Sequence, residues 1–185
     1  MTRWGRFVLT VLRSMLKPRI RLDQESRLTF RVWPTDADLS LMNHASYLTI
    51  MEQGRVDLIR RSGFMRTLLQ HHWSAVLGSI TVQYRSPLRR FQKCELRTRV
   101  ACWDERWFYL EHRLSRGNDV VATGVAKIAI LARTGRQQPA EVLRVLGLAV
   151  AAPPVADMVH ALQDGERLMH ERIQDWPVAD WSLER

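Results

Sequence analysis

Cysteine is nearly absent: the 185 residues hold only Cys94 and Cys102. Eight residues apart on one strand, they would stand roughly 26 Å apart, far beyond the reach of a disulfide. With no secretory leader pattern at the start, this predicts a reducing, cytoplasmic compartment. Long apolar runs are missing too. No window reaches the ~18 uncharged apolar residues of a confident membrane-crossing helix. His71-His72 stands without a cysteine or acid at metal-ligand spacing, so no metal is predicted. The chain has neither a glycine-rich phosphate loop nor a Gly-x-Ser-x-Gly elbow, and nothing calls for a cofactor.

Acids are also in deficit. Asp+Glu number 19 against 28 Lys+Arg, a formal charge of +9. Such an excess fits nucleic acid, a membrane surface, a phosphate-bearing ligand such as coenzyme A, or simply a basic surface. Nucleic acid is the weakest of these, because no aromatic-basic platform of a recognisable reader fold is present. Residues 1–21 carry six cations and no acid, interleaved with Trp4, Phe7, Val8, Leu9, Val11, Leu12, Met15 and Leu16. This is a basic amphipathic helix that either lies on an anionic membrane or packs on its own domain or a second subunit. Pro18 ends it.

Beyond residue 22 the pattern is α+β. Residues 28–34 alternate as a strand. Residues 45–62 read as a long helix with Tyr47, Met51, Gly54 and Leu58 on one stripe. Gly54 costs about 1 kcal/mol against Ala there, a cost justified by close approach of another backbone. Strands are predicted over 75–85, 94–103, 107–115 and 120–131, the last so apolar that it belongs at the centre of a sheet. One antiparallel sheet curled around one helix accounts for this order. Its free edge and leftover apolar surface predict a dimer with a continuous sheet. A short helix follows over 138–147 and an amphipathic helix over 155–175, hinged at 151–154. The division is 1–22 N-terminal helix, 23–135 core domain and 136–185 helical extension.

The chemistry concentrates in residues 33–55. Asp36 and Asp38 sit in a loop just before Asn43-His44 and the helix start. A carboxylate beside free helix N–H groups is the minimum equipment for attack on a polarised carbonyl. Each residue also has a plainer reading. Either Asp could cap a turn, Asn43 is an excellent N-cap, and His44 could be a surface residue of the first turn. Glu52 could pair with Arg55 at i,i+3 on a solvated face. Arg85, Arg89, Arg90 and Lys93 bracket the Pro87 turn, suited to phosphate or merely solvated.

Trp33-Pro34-Thr35-Asp36-Ala37-Asp38, Met42-Asn43-His44-Ala45-Ser46-Tyr47-Leu48, Glu52 and Arg55 resemble the 4-hydroxybenzoyl-CoA-thioesterase-like group of hot-dog proteins. Within it they resemble the branch called thioesterase superfamily member six in animals. The resemblance covers residues 26–135. It implies a hot-dog fold, dimers or tetramers built from dimers, an acyl-CoA substrate at the dimer interface, and thioester hydrolysis. By this resemblance Asp38 is the nucleophile or general base, while Asn43 and Tyr47 match the Asn and Tyr of the helix start. The loop from Asp38 to Tyr47 is one residue shorter than the family pattern. Leu41 stands where a His is usual, and His44 where a second Asn is usual. Two alternatives accompany the hydrolase: a non-catalytic acyl-CoA or lipid binder, and an enoyl hydratase using Asp38 and His44.

Overall fold

A computed structural model describes Ser14 and residues 16–148, 153–155 and 157–174. The expected N-terminal helix over 1–21 therefore lies largely outside the described residues, as does half of the 151–154 hinge. The chain divides into a unit of residues 1–153 and a second of 154–185. Among its described residues the second contains one helix, Asp157–Gln174, close to the expected 155–175.

The first unit is built around α1, His44–Arg61. Asn43 caps its start, Arg60 and Arg61 occupy its last turn, and Gly63 at φ +82° ends it. Around it curls an antiparallel sheet of β1 (Ser26–Arg31), β4 (Ser74–Tyr84), β5 (Lys93–Trp103), β6 (Phe108–Arg116) and β7 (Asp119–Ala132). The small hairpin β2 (Ala37–Asp38) and β3 (Leu41–Met42) precedes α1, α2 (Phe64–Gln70) follows it, and β8 (Gly135–Gln137) and α3 (Pro139–Val145) follow β7. Strand bounds match expectation to within a residue or two, except that β1 ends at Arg31, before Trp33-Pro34. The hairpin β2–β3, α2 and β8 are too short to leave a periodicity in the sequence.

Strand order is β1-β5-β6-β7-β4, with β8 beside β7. β5, β6 and β7 follow one another as a meander, which the short hairpin to β8 extends. β4 pairs instead with β7, from Ser74↔Leu131 to Tyr84↔Ala122, so residues 85–92 cross the end of the sheet to reach β5. β7 is interior, as its apolar run predicts. β4 is an edge with Val76, Leu77 and Tyr84 exposed, its outer side unpaired among the described residues.

The predicted stripe of α1 is buried: Tyr47, Met51, Gly54 and Leu58 all face the sheet. Gly54 lies against β5. A Cβ there would collide with the Thr98 side chain and come within 2.6 Å of Leu96 Cδ2. One core cluster gathers Leu58, Phe64, Phe108, Ile128 and Val142, and a second gathers Tyr47, Met51, Leu88, Leu96 and Leu114. Each such side chain contributes about 1.5–3 kcal/mol of burial.

Polar groups also enter this core. Arg55, 9% exposed, is buried rather than on the solvated face expected for it. Its Nη1 lies 3.4 Å from His112 Nε2, and His112 Nδ1 lies 3.0 Å from Thr98 Oγ1. A guanidinium only donates, so Nε2 accepts and the ring proton resides on Nδ1, facing Thr98. Burial, then the adjacent Arg55 charge, lowers the His112 pKa to about 3. Asp57 accepts from Ser26 Oγ at 2.5 Å and from Arg61 at 3.2 Å, tying β1 to the helix.

His112 makes stability pH-dependent with a defined sign. Between its folded pKa of about 3 and the unfolded value of about 6.5, the unfolded chain binds a proton that the folded chain refuses. Stability therefore falls as pH drops through that window, by up to about 1.4 kcal/mol per pH unit. Urea unfolding at pH 6.5, 5.5 and 4.5 checks this: the midpoint should fall in wild type, and His112→Asn should flatten that part of the slope.

Candidate active site

The loop before α1 is organised by its polar side chains. After Trp33 the chain makes one 3-10 turn, Pro34–Asp36. Asp36 is buried. Its Oδ2 accepts the Trp33 N–H at 2.8 Å, and its carbonyl accepts the Asn43 N–H at 2.9 Å. Asp36 thus clasps the turn and joins its two ends. Asp38 follows on β2, exposed to solvent, in register with Leu41 of β3.

Asn43 connects this hairpin to the helix. Its Oδ1 accepts the Ser46 N–H at 2.9 Å, and its Nδ2 donates to Asp38 Oδ1 at 3.3 Å. One side chain therefore caps α1 and holds a carboxylate at the positive end of the helix dipole. The N–H groups of His44 and Ala45 lie in that first turn, where no preceding turn of helix offers a carbonyl.

A second loop closes over the same end. Leu88, fully buried, accepts the Met42 N–H at 2.8 Å through its carbonyl, and its own N–H donates to Tyr47 Oη at 3.3 Å. Burial raises the Tyr47 phenol above its ordinary pKa despite the N–H from Leu88, which lowers it, so Tyr47 stays protonated. Leu41 forms a β-bridge with Arg89, and the Arg90 N–H reaches Ser40 O at 3.4 Å. The turn carrying Arg85, Arg89, Arg90 and Lys93 is thereby brought to the end of the fold that holds Asp38, with all four cations exposed.

His44 packs on Tyr84 with ring centroids 4.7 Å apart and the rings tilted by 42°, and Tyr47 meets Tyr84 edge-on at 5.0 Å. Tyr84, 41% exposed, is a site residue that sequence reasoning misses, because nothing in the sequence places the end of β4 beside the start of α1. Glu52 is exposed on α1, about 12 Å along the helix from His44. The structure does not bring it to Asp38; its charge acts instead on Arg55.

Two bulky apolar residues adopt left-handed backbone here: Leu39 at φ +51°, at the tip of β2–β3, and Phe91 at φ +66°, in the 85–92 segment. Each conformation costs on the order of 1–3 kcal/mol for a residue with a Cβ.

A curved antiparallel sheet wrapped around a helix, with a carboxylate held at that helix's N-terminus, is the hot-dog class. The family model of the thioesterase-like superfamily matches residues 32–162, and the chain belongs to that family. A Xenopus laevis relative, Protein THEM6, is 34% identical over 110 residues, covering 58% of this chain and 53% of the relative. The chain spans 53% of the length of that relative, 39% of a Danio rerio one and 64% of a Drosophila melanogaster one. A probable thioesterase from Bartonella henselae superposes with a TM-score of 0.57 at 23% identity, over 62% of this chain and 98% of that one. A Staphylococcus aureus protein solved in complex with CoA gives 0.56 at 12% identity, over 74% and 93%. These structural likenesses establish the fold.

Replacing Asn43 with Ala removes the cap and the tether together. The expected outcome is a stability loss of about 1 kcal/mol by denaturant titration, with loss of the Asp38 placement. Asn43→Ser, which keeps a cap but not the tether, should recover most of the stability alone.

Proposed function

We propose that this chain hydrolyses an acyl-CoA thioester to the free acid and CoA. The observation that carries the proposal is the double use of the Asn43 side chain, which bonds the Ser46 N–H and the Asp38 carboxylate at once. A base and a source of oxyanion-stabilising N–H groups are thereby held against one another.

Asp38 takes a proton from water while the water oxygen attacks the thioester carbonyl carbon. The carbonyl electron pair moves onto oxygen, facing the His44 and Ala45 N–H groups. Collapse of that intermediate breaks the C–S bond, and the departing thiolate receives the proton from Asp38. Asp38 acting as nucleophile gives an acyl anhydride that water then opens, with the same net balance. Tyr47 holds Leu88 and its loop in place, and His44 with Tyr84 walls the approach to the carbonyl. Asp36 supports the turn, and Glu52 stands apart from the reacting carbon. Arg85, Arg89, Arg90 and Lys93 suit the coenzyme A phosphates. Thioesterases and a CoA complex among the structural neighbours support this reading of substrate class.

The active form in this reading is a homodimer, alone or paired into a tetramer. It pairs β4 with a second copy, which would cover the exposed Val76 and Leu77 and continue the sheet. The buried thiols of Cys94 and Cys102 suit a reducing, cytoplasmic setting; burial pushes the Cys94 thiol up to about 11. Among the described residues no helix is long and apolar enough to cross a membrane.

Thiol release on a panel of short, medium, long and aromatic acyl-CoA esters tests the activity. Asp38→Asn should lower turnover by about 100-fold or more while CoA esters still bind. Turnover unchanged in Asp38→Asn would sink the mechanism, and binding without turnover in wild type would leave an acyl-CoA binder. Sedimentation velocity tests the assembly: wild type should run as a dimer or tetramer, and Val76→Lys with Leu77→Glu as a monomer.

A further inference from the structure

Around Asp38, three segments of chain are knitted into one end of the fold. Residues 31–33 pair with the 91–92 region through Val32 N to Gln92 O (3.0 Å), Phe91 N to Val32 O (2.7 Å) and Arg31 Nη1 to Phe91 O (2.8 Å). Residues 40–42 pair with 88–90 through the Leu41–Arg89 bridge and the backbone bonds to Leu88 and Arg90. Leu39, at the tip of the hairpin, therefore belongs to the same end as Phe91.

This end combines two features that do not ordinarily coincide. It exposes large apolar side chains: Trp33, Leu41, Leu39 at 91% and Phe91 at 54%. Two of these, Leu39 and Phe91, sit in left-handed backbone that Gly or Asn would adopt more readily. Strain is thus spent on holding apolar groups outward, the opposite of what folding alone favours. The same segments, 31–42 and 85–93, also expose Arg31, Arg85, Arg89, Arg90 and Lys93 against one exposed carboxylate, Asp38, since Asp36 is buried.

Apolar tips ringed by cations match the layered chemistry of an anionic bilayer, where aliphatic and aromatic groups enter the acyl boundary and cations meet lipid phosphates. We propose that this end of the fold is a membrane-docking surface: Leu39 and Phe91, with Trp33 and Leu41, insert at the interface of an anionic bilayer while Arg31, bonded to the Phe91 carbonyl, meets the headgroups and the cations of 85–93 add long-range attraction to the anionic surface. Docked in this way, the end of the fold that carries the exposed Asp38 lies against the lipid, where a long acyl chain partitions. The docking itself does not depend on the hydrolytic reading; only its benefit to long-chain substrate does.

Flotation of the full chain with phosphatidylcholine–phosphatidylserine vesicles, against pure phosphatidylcholine, tests it. Wild type should float with the mixed vesicles, and less so as salt is raised. The double variant Leu39→Asn/Phe91→Asn keeps residues that tolerate the left-handed backbone, so it should fold with a Tm no lower than that of wild type. Its partition should fall by about tenfold or more, given the apolar burial lost from two side chains. Thiol release from a short, water-soluble CoA ester should stay at the wild-type rate in that variant, while release from a long-chain ester presented in vesicles drops. Vesicle binding equal in wild type and double variant would overturn the proposal and assign binding to another segment, such as residues 1–21. Absence of binding by wild type would overturn it outright. Neither result bears on hydrolysis of the soluble ester, so the two readings fail separately.

Discussion

The approach of α1 to β5 at Gly54 sets the geometry of everything else. With a Cβ at that position either the helix would have to lift or the Thr98 and Leu96 side chains would have to give way, Thr98 at the expense of its contact with His112. Seated at that distance, the helix lays Met51 against Gly124 of β7 and Arg55 against His112 of β6. Its N-terminus then falls at the open end of the sheet, where β2–β3 and the 85–92 segment meet. The placement of Asp38 is thus two steps removed from a glycine in mid-helix: Gly54 sets the depth of α1, and Asn43 hangs the hairpin from its end.

Much of this architecture is legible in the amino-acid sequence. The period of Tyr47, Met51, Gly54 and Leu58 marks the buried face of α1, and the two-residue alternation marks the strands, because both are repeated many times over and each repeat adds weight. The apolar run of β7 identifies an interior strand for the same reason. The crossing from β4 to β5 is not legible, since strand order depends on which edges pair and no residue in 85–92 declares its route. Tyr84 is lost with it: its ring becomes part of the site only because β4 lies beyond β7.

The polar residues divide along the same line. Asn43 reads correctly as a helix cap from its position alone. Its second bond, to Asp38, is beyond reach, because an irregular loop does not aim side chains by spacing. Asp36 and Asp38, two residues apart, are chemically identical in sequence, yet the 3-10 turn buries one as a clasp and leaves the other in solvent. Arg55 shows the opposite failure. Its charge argues for a solvated helix face, while the sheet supplies His112 and Thr98 to receive it inside.

The crossing from β4 to β5 also governs the order in which the molecule comes into being. Tyr47 and Leu88 are 41 residues apart, Arg55 and His112 are 57, and Arg31 and Phe91 are 60. The Asp38–Asn43–Ser46 cluster is local to β2–β3 and the start of α1, but the residues that close over it come from far along the chain. The loop that carries Arg89 settles on Leu41, Met42 and Tyr47, and it runs from β4, whose partner β7 ends only at Ala132. Such a high sequence separation slows folding. On the ribosome it leaves α1, with its apolar face and buried-to-be arginine, waiting for most of the domain to emerge before β5, β6 and β7 can cover it.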